Sequence, residues 1–193
     1  MSNIQCANPK AQYLSKKDEI DNKIAETLNG NSYILGENVK KLEEEFSEFI
    51  SAKYSVGVAN GTDAIEIALR ALEIGPGDEV ITVSHTATAT VSAILCAGAI
   101  PVLVDVDEDL FTIDHEEIKE VISVKTKAII AVHLYGQSCA LDEIQSICDE
   151  KGIYLIEDVS QAHGAFYKDK RLGSIGHIGT FSCYPTKNLG AIG

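Results

Sequence analysis

The sequence predicts an α/β fold in which helices wrap a mostly parallel sheet, on two observations. Short β-rich runs alternate with apolar residues at helical spacing through most of the 193 residues. The balance of 45% hydrophobic and 23% charged residues is that of an ordinary globular domain. No internal repeat, low-complexity stretch or linker divides the chain.

The elements follow in chain order. Ile20, Ile24 and Leu28 mark one amphipathic helix, and Val39, Leu42, Phe46, Phe49 and Ile50 mark a second, joined by a loop over residues 29–36. Glu43, Glu44, Glu45 and Glu48 fall opposite the second apolar stripe, as on a solvated face. Strands are expected at residues 54–59, 79–83, 101–105, 128–133, 153–157 and 179–182. Between them Ile65, Ala68, Leu69 and Leu72 fall at helical spacing, as do Ile144, Ile147 and Cys148. Asp114 followed by Glu117 predicts a capping box opening the helix through Ile118 and Ile122. The glycine runs at residues 75–77 and 173–179 match neither a dinucleotide fingerprint nor a P-loop, and read as turns.

Composition excludes several function classes. A formal charge of −13 repels phosphate backbones and anionic membranes, so no nucleic-acid surface is expected. No apolar run reaches the roughly 20 residues needed to cross a bilayer, and residues 1–17 lack the apolar core of a signal peptide, so no membrane partner and a cytoplasmic location are expected. Five cysteines (Cys6, Cys96, Cys139, Cys148, Cys183) lack the paired spacings of a zinc site or disulfide framework and read as small apolar residues. The histidines show no metal-ligand spacing, and no metal is expected.

Two residues set the chemistry. Asp158 ends a buried strand, where ligands bind in open α/β sheets, and Lys187 lies in an almost uncharged turn after the next strand. A lysine held in apolar surroundings becomes nucleophilic enough to form a Schiff base. A carboxylate keeps a pyridine nitrogen protonated so that its ring acts as an electron sink. The pair therefore points to pyridoxal 5′-phosphate. Gly61 and Thr62 open a helix directly after a strand, where free N–H groups attract an anion, although Thr62 or Asp63 can equally serve as the helix cap. The Ser182 hydroxyl can join Thr62 around a phosphate. Gln161 can hydrogen-bond the cofactor's phenolic oxygen or a substrate hydroxyl, and His163 is open to that role or to a satisfied loop position.

Read in order, the runs at residues 11–13, 33–36, 60–64, 132–137, 156–164 and 184–190 resemble the DegT/DnrJ/EryC1/StrS family of pyridoxal-phosphate-dependent sugar aminotransferases over nearly the whole chain. The resemblance implies an aspartate-aminotransferase-like (fold type I) large domain, with a cofactor-binding unit over residues 51–193. Residues 1–50 would be a helical dimer contact. It implies a portion truncated before a small domain, whose absent neighbouring strand leaves residues 54–59 short of a partner. The activity implied is transfer of an amino group from L-glutamate to a keto sugar nucleotide by a homodimer. Lys187 would hold the cofactor and shuttle a proton, Asp158 would pair with the pyridine nitrogen, and Gly61, Thr62 and Ser182 would hold the phosphate. Gln161 would contact the ring oxygen, and Tyr33 and His163 substrate. Many members stack an aromatic residue on the ring from the position of Ala87 in this sequence; His85 is the nearest replacement. A non-catalytic regulatory protein of the same fold and a pyridoxal-phosphate enzyme acting on amino acids are the alternatives.

Overall fold

The computed structural model describes residues 7–192, so Cys6, Gly193 and the first six residues of the leader reading lie outside the described residues. The chain opens with α1 (Pro9–Ser15), unforeseen because it is short. Its start is set by Pro9 in the first turn and by the Asn8 side chain, which accepts the Ala11 N–H. The two expected amphipathic helices follow as α2 (Lys17–Leu28) and α3 (Glu37–Ile50). None of the residues of α2 is buried, and in α3 only Ile50 is. Their apolar stripes therefore lie largely uncovered within this chain.

Beyond them lie α4 (Gly61–Ala71), β1 (Glu79–Val83), α5 (Thr88–Cys96), β2 (Ile100–Val104), α6 (His115–Val121) and β3 (Thr126–Val132). The chain continues through α7 (Leu141–Lys151), β4 (Tyr154–Asp158), the two-residue strands β5 (Phe166–Tyr167) and β6 (Lys170–Arg171), and β7 (Ile178–Thr180). Five strands form one all-parallel sheet in the order β2-β1-β3-β4-β7. Its central strands are buried on both faces, which is why they read as near-continuous apolar runs. Ile81, Ile129, Ile130, Leu155 and Ile156 form its middle, with Ile65, Leu69, Ile94 and Ile144 packed on it from the helices.

Three expectations need correcting. Residues 54–59 form no strand: Tyr54 and Val56 are 74% and 77% exposed, and the segment is tied to α3 instead of to the sheet. The Ser55 hydroxyl donates to the Glu43 carbonyl (2.6 Å) and the Gly57 N–H to the Glu43 carboxylate (2.8 Å). Glu43 thus binds backbone and is no part of a purely solvated face, unlike the exposed Glu44, Glu45 and Glu48. The capping box is half made, since Asp114 accepts the Glu116 N–H while Glu117 turns away to the Asp105 N–H. The α5 helix and the β5–β6 hairpin were not foreseen; the many β-branched residues of α5 carry little helical signal.

The turn at residues 173–179 has a physical reason that its sequence hides. Glu157, fully buried at the end of β4, accepts the N–H groups of Gly173 (2.8 Å), Ile175 (2.8 Å) and Gly176 (2.7 Å). Gly173 has φ +92°, and a Cβ there would collide with the Phe181 ring. On its other side Glu157 meets the buried His133 (3.2 Å). The Cys139 N–H donates to His133 Nδ1 (3.2 Å), which leaves Nε2 to carry its hydrogen toward Glu157. Burial opposes a second proton on the ring, while the Cys139 and Glu157 side chains pull the other way. The Cys139 N–H occupies the nitrogen that proton would need, so we take the ring as neutral.

Burial pushes the Glu157 pKa up, but the His133 N–H and the Gly173 and Gly176 amides outweigh it and hold the carboxyl below 4.5. A folded pKa below the unfolded one means that stability is fully present above about pH 4.5 and is lost as pH falls through the folded value. Wild-type protein should therefore lose stability on acidification more steeply than Glu157→Gln. Glu157→Ala should lower the unfolding free energy by about 3–5 kcal/mol, read from urea denaturation, because it strands three backbone amides in the core. A loss below about 1 kcal/mol would show that the turn is held by other contacts.

Candidate active site

The sheet brings the chemistry-bearing residues to one end. The order reverses between β1 and β3, and Asp158, His85, His133 and Ser182 all lie at or just beyond the carboxyl ends of strands. That is where open parallel sheets bind ligands. Glu157 and Asp158 are neighbours on β4 and so face opposite ways. Asp158, 6% exposed, accepts the Ser160 N–H on Oδ1 (3.1 Å) and the Thr90 hydroxyl on Oδ2 (3.2 Å).

At the start of α4 the cap is Asn60, whose side chain accepts the Asp63 N–H (2.9 Å). This settles the open question of the cap, for neither Thr62 nor Asp63 serves it. The Gly61 and Thr62 N–H groups have no acceptor among the described residues, nor has the Thr62 hydroxyl a partner. A Cβ on Gly61 would lie 2.7 Å from the Ser182 Cβ, so the absence of a side chain lets α4 and the chain after β7 approach closely. The Ser182 oxygen accepts the Tyr184 N–H (3.3 Å), which leaves its hydrogen available to donate. An anion seated there would meet two backbone amides, two hydroxyls and a helix N-terminus.

Lys187 lies in a turn after β7, its N–H bonded to the Tyr184 carbonyl (2.8 Å) and the turn closed by the Ala191 N–H on the Cys183 carbonyl (2.8 Å). A Cβ on Gly190 would sit 2.5 Å from the Pro185 carbonyl oxygen, the close exit expected of glycine there. The lysine is half-buried, not enclosed as the uncharged sequence suggested. It lines a cleft of about 200 Å³ between the start of α1 and the turn, and the Gln12 amide donates to the Asn188 carbonyl (3.3 Å) across it.

His163 feels the charge of both Lys187 and Asp158. Burial lowers its pKa below 6.5, the Lys187 cation adds to that, and Asp158 opposes it. Asn188 and the Ser182 backbone come near the ring, but neither meets hydrogen-bond geometry, and both ring nitrogens are buried without a partner among the described residues. His163 is therefore a neutral imidazole with two unmet polar atoms, which is more than a satisfied loop histidine. Gln161 is placed through its oxygen, which accepts the Tyr135 N–H (3.1 Å). Tyr135 has φ +56°, an uncommon backbone for a residue with a side chain, and its ring meets His85 edge-on at 6.0 Å. His85 and Ala87 are both exposed. Tyr33 stands apart, 67% exposed with its hydroxyl donating to the Leu28 carbonyl (2.7 Å).

Sequence reasoning missed Thr90, Glu157 and His133. Glu157 had a signal, an acid inside an otherwise apolar strand; Thr90 had none until α5 was in place.

The residues fit pyridoxal phosphate. Gly61, Thr62 and Ser182 form a cradle that a Cβ would fill, Asp158 offers acceptor oxygens in a nearly dry setting, and His163 has unmet nitrogens. Fold and site define an α/β protein with a helix-terminus cradle, a strand-end aspartate and a lysine turn. Residues 14–193 match the DegT/DnrJ/EryC1/StrS aminotransferase family, and the chain belongs to it.

Among curated relatives, the chain is 45% identical over 191 residues to a pleiotropic regulatory protein of Geobacillus stearothermophilus, covering 99% of this chain and 51% of that protein. It is 41% identical over 184 residues to the dTDP-3-amino-3,4,6-trideoxy-alpha-D-glucose transaminase of Streptomyces venezuelae, covering 95% and 48%. The chain thus spans about half the length of the curated relatives it matches. Among solved structures it superposes on S. venezuelae DesV, determined with a ketimine intermediate, at TM-score 0.97 and 39% identity over 100% of this chain and 52% of that one. It also superposes on NtdA of Bacillus subtilis with bound cofactor PMP, at TM-score 0.88 and 35% identity over 93% and 40%.

Gly61→Ala should weaken pyridoxal phosphate binding by at least about tenfold while Gly77→Ala at a distant turn should not, read by fluorescence titration. Equal affinities in the two variants would place the phosphate elsewhere.

Proposed function

We propose that this chain serves a pyridoxal-phosphate-dependent aminotransferase moving an amino group from L-glutamate to a keto sugar nucleotide, in amino-sugar biosynthesis for a polysaccharide, lipopolysaccharide or glycosylated natural product. The observation that carries it is the convergence, at one end of the sheet, of Asp158, the Gly61–Ser182 cradle and the Lys187 turn. The sugar transaminase among the relatives supports the substrate class. A cytoplasmic site of action belongs to the same reading. Among the described residues no helix is long and apolar enough to cross a membrane.

In this reading Gly61, Thr62 and Ser182 hold the phosphate, and Asp158 keeps the pyridine nitrogen protonated. Pyridoxal phosphate, when bound, supplies an electron sink for charge developing on the substrate carbon. Lys187 carries the proton at its Nζ, and its half-buried position leaves it room to move. Gln161 donates to the ring oxygen, its own oxygen being held by the Tyr135 N–H. His85 takes the stacking role that Ala87 cannot fill, and Tyr33 and His163 contact substrate. Residues 1–50 form a homodimer contact and residues 51–193 the cofactor-binding unit, which the uncovered stripes of α2 and α3 support.

A second reading rests on the regulatory relative: the fold is kept and turnover is not. Glutamate-dependent conversion of a keto sugar nucleotide separates the two, since a regulatory protein would show none.

Borohydride reduction of the pyridoxal phosphate complex followed by peptide mapping should place the label on Lys187; a label on Lys127 or Lys168 would sink the assignment. Asp158→Asn should fold normally by circular dichroism yet lower the transamination rate by about two orders of magnitude or more, because a neutral amide cannot hold the nitrogen's proton. Sedimentation of the whole protein should give a dimer, and a monomer that turns over at full rate would overturn the assembly.

A further inference from the structure

The Thr90 side chain has no part in the roles assigned so far. It is fully buried on the first turn of α5, and its hydroxyl lies 3.2 Å from Asp158 Oδ2. A threonine hydroxyl has one hydrogen to give, and a carboxylate can only accept, so the hydrogen goes to Asp158. The Thr86 hydroxyl lies 3.0 Å from the Thr90 oxygen. With the Thr90 hydrogen spent on the carboxylate, Thr86 becomes the donor, and the chain runs in one direction, Thr86 to Thr90 to Asp158. Hydrogen bonds in such a chain polarise one another, and the buried setting strengthens them.

The two threonines bracket a particular piece of backbone. Thr86 lies between His85 and Ala87, and Ala87 caps α5 without a side-chain bond of its own. The Thr90 N–H donates to the Ala87 carbonyl (3.1 Å), so the hydroxyl chain and the backbone close on the same turn. The Ser160 N–H fixes the other carboxylate oxygen from the far side. Asp158 is thus clamped between α5 and the loop after β4.

We infer that Thr90 is a positioning residue for Asp158, and that through Thr86 it ties the orientation of the carboxylate to the loop bearing His85 and Ala87. The inference rests on the reading of Asp158 as the partner of the cofactor nitrogen. Thr90 orients the oxygens so that one lone pair remains aimed at the ligand, and the loop that would lie against the ring moves with the acid.

The test uses the whole protein and three variants. Thr90→Val keeps the shape and loses the donor, Thr90→Ser keeps the donor and loses the methyl, and Thr86→Val breaks only the outer link. Pyridoxal phosphate affinity by fluorescence titration and the visible absorbance band of the bound cofactor across pH are the readouts. Thr90→Val should weaken binding about tenfold and displace the pH profile of the band, whereas Thr90→Ser should stay within about twofold of wild type. Thr86→Val should fall between, and the double variant should be no worse than Thr90→Val alone, since both cut one chain. Loss in Thr90→Ser with normal binding in Thr90→Val would mean that packing of the methyl is what matters, and would overturn the inference. Unchanged affinity and profile in Thr90→Val would overturn it while leaving the proposed function standing. Absence of any bound-cofactor band in the wild type would overturn both.

Discussion

Three backbone amides of residues 173–176 converge on the carboxylate of Glu157, with His133 closing it from the opposite side. The turn it holds feeds β7, and β7 delivers Ser182 and then Lys187. A carboxylate buried in this way is costly unless every lone pair is used, and here backbone supplies most of the partners. The glycines of the turn let it pack this closely, since a Cβ on Gly173 would strike the Phe181 ring and one on Gly176 the Leu155 carbonyl. The anion at the end of β4 thus organises the backbone, while its neighbour Asp158 faces the opposite side of the sheet.

The division of labour between adjacent acids explains how much of the molecule the sequence could disclose. The parallel sheet was legible because its strands are buried on both faces and read as apolar runs, and Asp158 was legible because it follows such a run. Lys187 was placed in its turn from the strand before it, whereas Gly61 was read after a strand at 54–59 that does not form, although it does open α4. Glu157 was passed over because periodicity cannot tell an acid turned inward to backbone amides from one turned toward a ligand. The capping box at Asp114 was only half right, since Glu117 found a stronger partner in the Asp105 amide.

Other failures share one cause. Residues 54–59 have the composition of a strand, but a strand exists only as part of a ladder, and within this chain their polar groups find α3. Helix α5, with four β-branched residues in nine, is a helix by virtue of its place against the sheet and not by propensity. The hydroxyl pair of Thr86 and Thr90 emerges only once that helix is drawn. Tertiary placement, in each case, overrides what the local sequence prefers.

The left-handed backbone of Tyr135 has a consequence for the kind of ligand the site can accept. Its N–H, held out by that conformation and by the succeeding Gly136, occupies the oxygen of Gln161. A side-chain amide so anchored cannot rotate end for end without abandoning a backbone hydrogen, so the face it shows outward is its NH₂. A group resting against that NH₂ meets it with a lone pair, which an ionised oxygen and a hydroxyl oxygen both have. A single left-handed residue outside the list of reacting groups thereby fixes Gln161 as a donor toward whatever oxygen comes to rest on its outer face.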